Sequence, residues 1–309
     1  MVVEYDTSYH ESKPLKVYGG QHRIKALIDS KDRNDVVHGI RVYFNLSRDQ
    51  KVEIATINNT SIAVPSDLLD RMREQLLGSE LRDWCQTVGL LNKGQDFADR
   101  KNPEAPTVRV ARTLLVNFYM GKEAANIKDF HQPLLCKSGG LDESYIETRK
   151  KVNWSDAKLI EMGEQFAKLH KLQRERVNNR TEDTLAEYAR KALSMAVVAS
   201  WAYASGLFQR DVDLLKHLYS LSDTASNSDD PLNAKALSQA RLLGIDPDTY
   251  RGLGARNSPG ELGRMLEVFL VLATKASKKK ITKDLANAAI KSYEAKKATH
   301  QADEALGKI

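Results

Sequence analysis

The chain has 309 residues, of which 41% are hydrophobic and 28% charged, a balance typical of folded globular proteins. Its two cysteines, Cys85 and Cys136, are too few and too far apart for a disulfide framework or a cysteine-rich zinc site. No run approaches the ~20 consecutive apolar residues that span a bilayer, and the first residues lack the pattern of a secretory signal. We therefore expect a cytoplasmic protein with no membrane partner.

The first part of the chain is predicted to mix strands and helices. Residues 15–18 and 40–44 have the β-branched and aromatic composition of short strands, and apolar residues at 24–28 predict a helix between them. Ser47 and Gln50 have the spacing of a capping box, so a second helix should begin at Arg48 and end near Asn58.

The following segments alternate apolar and polar character. An apolar run at 62–64 stops at Pro65, and a helix should follow Ser66 with five apolar residues on one face: Leu68, Leu69, Met72, Leu76 and Leu77. Residues 93–107 have the composition of a loop, and 110–120 have a helical pattern. The glycines that end the segment 136–140 suggest a division into domains at 1–140 and 141–309.

The second domain should be mostly helical. Apolar residues between Leu185 and Val197 keep to one helical face. Ser258 and Glu261 have capping-box spacing with Pro259 at the first helical position. The helix they open should bury Leu262, Met265, Leu266, Phe269 and Leu270.

The carboxyl-terminal segment carries most of the net charge of +6. Residues 275–309 contain nine lysines and four acids, a surplus of five positive charges. A basic segment attracts polyanions through counterion release, which makes nucleic acid a reasonable partner. A solvated terminal helix that binds nothing is an equally good explanation of this pattern.

The most informative segment is Gly19-Gly20-Gln21-His22-Arg23, which lies between a predicted strand and a predicted helix. Glycines allow the main chain to approach a ligand closely, and a helix start offers free amides and the positive end of its dipole to an anion. His22 and Arg23 add side-chain donors, and an arginine can bind two phosphate oxygens at once. The pattern predicts a phosphate site, although neither common phosphate-loop motif is present. The alternative is a tight turn whose His and Arg pair with nearby acids.

These residues resemble the signature of DGQHR-domain proteins. This family has a ParB/sulfiredoxin-like fold and includes DndB-type proteins and other components of bacterial DNA-modification and phage-defence systems. The segment 55–60 is similar to a second family motif, F-x-x-I-N-x-T. The resemblance covers residues 15–77 and implies an α+β domain of ParB/sulfiredoxin-like type, followed here by a helical domain.

The resemblance also implies site residues and cofactors. In the superfamily this turn holds the phosphates of ATP or CTP, so Gly19, Gly20, Gln21, His22 and Arg23 would bind phosphate here, with His22 and Arg23 also catalytic. Mg²⁺ would be a candidate cofactor of such a nucleotide. Sulfiredoxin has its nucleophilic cysteine where this chain has Gln21, so reduction of a sulfinic acid is not expected.

A second set of candidates is Asn58, Asn59 and Thr60, which could contact nucleotide or DNA. Asparagines at such positions also serve as caps and turn formers.

The family usually has Asp where this chain has Gly19, which removes a potential metal ligand, and no metal site is predicted. It also has another strand and helix upstream of the motif, so we expect either a piece of a longer protein or a sheet completed in another way.

Three functions remain open at this point. The first is a nucleotide-binding, NTP-hydrolysing protein that acts with DNA and a partner modification enzyme, with a homo-oligomer as one arrangement. The second is a non-catalytic, DNA-binding transcriptional regulator in which the same turn holds a DNA phosphate. The third is a metal-dependent nuclease. His170 lies in a basic run that could contact phosphate or form a solvated helix face, and Arg109 and Arg112, with Thr107 as a cap, could form a helix start that faces DNA.

Overall fold

The protein combines a small amino-terminal sheet with a larger body of helices. The computed structural model describes residues 1–31, 37–59, 65–99, 105–140, 142–178, 194–223, 230–275 and 280–307. The predicted strand-like run at 62–64 and most of the predicted helical face at 185–197 lie outside these ranges. At this level the predicted class, α+β with a mostly helical carboxyl-terminal part, is confirmed.

Three strands form the sheet, in the order β2-β1-β3. β1 (Val2–Tyr5) is central; it pairs antiparallel with β2 (Leu15–Gly19) and parallel with β3 (Arg41–Phe44). The two outer strands agree with the predicted ones. β1 was not predicted, because four residues that include the acid Glu4 give no clear apolar alternation.

Glu4 is buried on the sheet face that packs against the second helix of the chain. Its carboxylate accepts a hydrogen bond from the Tyr18 hydroxyl at 2.7 Å and forms an ion pair with Lys51 at 2.9 Å. A buried charge needs such partners, since desolvation without them is costly. Glu4, which makes β1 hard to recognise in the sequence, therefore helps to attach the sheet to the helix that carries Lys51.

The helices follow in an almost continuous series. Those of the first half are α1 (Gln21–Asp29), α2 (Arg48–Asn59), α3 (Ser66–Leu77), α4 (Glu80–Thr87), α5 (Val108–Glu123) and α6 (Glu143–Lys151). Those of the second half are α7 (Ala157–Asn178), α8 (Met195–Leu207), α9 (Val212–Tyr219), α10 (Ala234–Gln239), α11 (Pro259–Thr274) and α12 (Lys283–Ala305). None of the helices in the described ranges combines the length and the apolar character needed to cross a bilayer.

The two predicted capping boxes have different outcomes. At α2 the box is present: the Ser47 amide donates to Gln50 Oε1 at 2.9 Å, and the Gln50 amide donates to Ser47 Oγ at 3.3 Å. At α11 the helix begins at Pro259 as predicted, but the Ser258 side chain makes no capping hydrogen bond. Glu261 is buried instead and accepts a hydrogen bond from Tyr250.

The helical core centres on α8, which is buried on nearly every side. It crosses α5 closely, because glycines lie at the contact. A Cβ atom on Gly121 would collide with the carbonyl oxygen of Tyr203, and one on Gly206 would collide with that of Phe118. The five side chains of α11 predicted to be buried are all buried in this core. One continuous apolar cluster includes residues from both sides of residue 140, and the predicted domain division there stays a prediction.

A buried ionic network connects α3 to the helices that follow it. Arg112 of α5 bonds to Glu74 at 2.8 Å and to Asp70 at 3.3 Å. Tyr145 and Arg149, both of α6, donate to the other oxygen of Glu74 at 2.5 and 2.7 Å. Arg112 had been a candidate for contacting DNA, but the folded protein buries it against carboxylates, so that interpretation is wrong.

Substitution of Arg112 by alanine should therefore be strongly destabilising. It removes the arginine that bonds to both buried carboxylates, Asp70 and Glu74, and removal of one partner of such a pair costs about 3–5 kcal/mol in the free energy of unfolding. Urea unfolding followed by circular dichroism measures the change.

The matched control is Arg71→Ala, which removes an arginine from the more exposed ion pair with Asp96, at 3.9 Å. Exposed pairs contribute about 1 kcal/mol or less. Equal losses in the two variants would contradict a stabilising role for the buried network.

Candidate functional site

The glycine turn, defined here as residues 19–23, has the predicted arrangement of strand, turn and helix. β2 ends at Gly19 and α1 begins at Gln21, with Gly20 between them at φ 97° and ψ 18°. This left-handed conformation is open to glycine and disfavoured for residues with a Cβ atom. Gly19 does not need this freedom, because its φ is not positive.

The neighbourhood of Gly20 also requires a small residue. A Cβ atom there would lie 2.9 Å from Cγ and 3.3 Å from Cα of Met1. Both the backbone angle and the close contact therefore favour glycine at this position. A side chain at position 20 would require Met1 to move.

The start of α1 has the properties of an anion site. The Ile24 amide donates to the Gly20 carbonyl at 3.0 Å and closes the first helical turn. The amides of the three residues before it are the donors that an α-helix cannot satisfy internally. No side chain caps this end, and its first turn contains no acid. The positive end of the helix dipole is therefore not offset by a carboxylate of the first turn.

The side chains of Gln21, His22 and Arg23 are exposed. Within the described ranges, neither His22 nor Arg23 forms a hydrogen bond or an ion pair with another side chain. The alternative interpretation, in which they pair with nearby acids, thus has no support in this part of the chain. No described residue therefore occupies their side-chain donors.

The fold brings Arg41 to the same end of the sheet, a residue that sequence reasoning did not single out. Val2 of β1 is in register with Gly19 on one side and with Arg41 on the other. Neighbouring strands lie about 4.8 Å apart, so the Cα atoms of Gly19 and Arg41 are about 10 Å apart. Arg41 is exposed. Only knowledge of the unpredicted strand β1 could have linked these two positions.

The second predicted set of contacts is only partly described. Asn58 and Asn59 form the last residues of α2, but their side chains are outside the described part, as is all of Thr60. Their predicted contact with nucleotide or DNA stays a prediction.

Two small cavities occur elsewhere in the protein. One of about 150 Å³ is lined by residues of α3, α4 and the segment at 96–97, and one of about 230 Å³ lies between α2 and α6. No residue of the glycine turn lines either cavity. Drug-sized ligands usually occupy about 300–1,000 Å³, so both are small for a nucleotide.

In the described ranges, no three or more His, Cys, Asp or Glu side chains are placed together to bind a metal ion. Both cysteines are buried, and burial raises the pKa of the Cys136 thiol to about 12. A thiol with so high a pKa is a poor nucleophile at neutral pH.

Arg109 and His170 are not free cationic contacts. Arg109 donates to the Cys136 carbonyl oxygen at 2.8 Å. His170 lies on α7 with its ring 5.8 Å from that of Phe166. Burial, followed by the charge of Arg174, lowers the pKa of His170 to about 4. At neutral pH this histidine is uncharged, so the proposed phosphate contact is not supported.

No protein-family model, curated protein or solved structure matches the chain.

Substitution of Gly20 by alanine should distort the turn. The left-handed conformation costs a residue with a Cβ atom roughly 1–2 kcal/mol, and the contact with Met1 adds to this. We expect the free energy of unfolding to fall by at least about 1 kcal/mol, measured by urea titration. Gly39→Ala is the control, because its Cβ would meet nothing within 4 Å. Equal behaviour of the two variants would contradict the requirement for glycine at position 20.

His170 should make stability depend on pH. Its folded pKa of about 4 lies below the ordinary 6.5, so the unfolded chain binds more protons between these values. The free energy of unfolding should therefore fall as the pH falls from 6.5 to 4, by about 1–3 kcal/mol for this group because the ring keeps some access to water. Urea titrations at pH 7 and 4.5 on wild type and His170→Asn measure the difference. Identical pH dependence in both proteins would show that His170 does not titrate in this way.

Proposed function

We propose that this protein is a nucleotide-binding, NTP-hydrolysing DGQHR-domain protein with a ParB/sulfiredoxin-like amino-terminal fold. It would act in the bacterial cytoplasm, with DNA and a partner enzyme, in a DNA-modification or phage-defence system. The observation that carries the proposal is the glycine turn, in which the left-handed Gly20 precedes an uncapped helix start with two exposed donors.

Some groups of the turn would bind the nucleotide phosphates, and others would stabilise the negative charge that develops during hydrolysis. The amides at the start of α1, which the left-handed Gly20 turns out from the strand, would hold the phosphates of ATP or CTP. His22 and Arg23 would stabilise negative charge on the transferring or leaving phosphate. Arg41 is close enough to the turn to join them. Mg²⁺ would accompany the nucleotide, and the helical part of the chain would respond to its hydrolysis.

Phosphate release from each of the four NTPs, with and without duplex DNA, tests this proposal. Wild type should release phosphate, and the His22→Ala/Arg23→Ala double variant should lose both release and nucleotide binding, because the side-chain donors are gone. Lys25→Ala is the matched control: it removes an exposed cation from the same helix beyond its first turn. Full activity of the double variant would overturn the assignment of the site.

A non-catalytic, DNA-binding regulator is the second candidate, favoured by the openness of the turn. Its side chains are exposed, and neither cavity includes them. Hydrolytic sites usually exclude bulk water, whereas a contact to a backbone phosphate of DNA can be open. This candidate predicts no phosphate release from any NTP, and duplex binding that weakens steeply as the salt concentration rises.

A further inference from the structure

The cavity between α2 and α6 combines an apolar wall with charged residues. Its volume is about 230 Å³, and its apolar lining consists of Leu77, Ile146 and Trp154. Leu77 is buried, and the other two are partly buried. Small-molecule sites are typically concave and mostly apolar, with a few polar groups that orient the ligand. The charged residues of the lining therefore decide which ligand the cavity suits.

Three of these charged residues are already paired. Arg149 of α6 donates to Glu80 at 2.5 Å, and its guanidinium lies over the ring of Trp154, 5.4 Å from the centroid. Lys150 pairs with Glu147 at 2.7 Å. The charges of Arg149, Glu80 and Lys150 are therefore satisfied within the protein, and Arg149 holds the Trp154 ring in its position on the wall.

The other two charged residues of the lining, Arg48 and Asp49, lie in the first turn of α2 and have opposite charges. Both are exposed, and within the described ranges neither side chain forms an ion pair or a hydrogen bond. A Cβ atom on Gly78 would lie 2.9 Å from Nη2 of Arg48, so the guanidinium lies against the main chain at the end of α3. The cavity thus has one cation and one acid that no described residue occupies.

These two opposite charges favour a zwitterionic ligand. A phosphate or another simple anion suits Arg48 but is repelled by Asp49, and a simple amine has the opposite conflict. A zwitterion satisfies both, since an arginine can bind a carboxylate through two hydrogen bonds and an aspartate accepts from an ammonium group. The volume holds about eight water-sized groups of about 30 Å³ each, close to the roughly nine non-hydrogen atoms of leucine.

We propose that this cavity binds a free α-amino acid with an apolar side chain, such as leucine. The carboxylate bonds to Arg48, the ammonium group bonds to Asp49, and the side chain contacts Leu77, Ile146 and Trp154. Burial of that side chain supplies the apolar part of the affinity, and the two charges select for the α-amino acid group. The cavity shares no residue with the glycine turn, so this proposal does not depend on nucleotide binding.

Isothermal titration calorimetry of the full chain with leucine tests the proposal. Leucine should bind at one site with a Kd below about 1 mM. Isocaproate lacks the ammonium group and isoamylamine lacks the carboxylate, so each should bind at least about fivefold more weakly. Glycine has no apolar side chain and should bind at least about tenfold more weakly. Absence of leucine binding would overturn the proposal, as would equal affinity for isocaproate or isoamylamine.

Arg48→Gln and Asp49→Asn locate the charged contacts. Each should raise the Kd for leucine at least about fivefold, because one ionic contact is lost. Both side chains are exposed, so the variants should keep the circular dichroism spectrum of the wild type. Arg210→Gln is the matched control, since it removes an exposed arginine that does not line the cavity, and it should leave the Kd unchanged. Wild-type affinity in Arg48→Gln would show that the carboxylate does not bind there and would overturn the proposal.

Trp154 provides an independent signal from the apolar wall. Leucine should change the tryptophan fluorescence of the wild type, because this ring lines the cavity, whereas Trp84 and Trp201 are buried elsewhere. Trp154→Phe keeps an aromatic ring, so calorimetry should still detect binding while the fluorescence change is lost. A fluorescence change of wild-type size in Trp154→Phe would place the ligand outside this cavity.

Discussion

The two buried carboxylates of α3, Asp70 and Glu74, are the constraint on which the arrangement of the helices depends. Glu74 accepts from Arg112 on α5 and from Tyr145 and Arg149 on α6. Asp70 accepts from Arg112 and from the segment between these helices, through the amide of Gly139. Buried carboxylates need such partners, so the network restricts how α5, α6 and the segment between them can lie against α3. The polar network gives the packing an orientation that apolar contacts alone do not specify.

Regular patterns in the sequence predicted the local structure well. Sequence patterns located β2, β3 and five of the described helices, α1, α2, α3, α5 and α11, and the capping box at Ser47 has the predicted hydrogen bonds. These features depend on residues that are close in sequence. The strand β1 was not predicted because Glu4 interrupts its apolar pattern. The burial of Glu4 is explained only by its contacts with Tyr18 and Lys51, which lie far away along the chain.

The candidate site shows the same division between local and distant information. The local arrangement at Gly20 follows from two glycines between a strand and a helix. The sequence could not predict that Arg41 lies beside the turn or that Arg112 is buried in the core. Both positions depend on which elements pair across long separations in sequence. An arginine looks the same in a sequence whether it faces a ligand or a buried carboxylate. Burial, which the sequence does not give directly, decides between these roles.

The connectivity of the sheet has a consequence for how the protein folds. All its pairings lie within the first 44 residues, since Val2 pairs with Gly19 and with Arg41. The central crossing of the helical body joins Phe118 to Gly206, and Gly121 to Tyr203, across a much longer loop of chain. Closing a longer loop costs more entropy, and contacts between distant residues form more slowly. During synthesis the sheet can therefore form while most of the helical body is still absent, and the crossing of α5 and α8 completes the structure later.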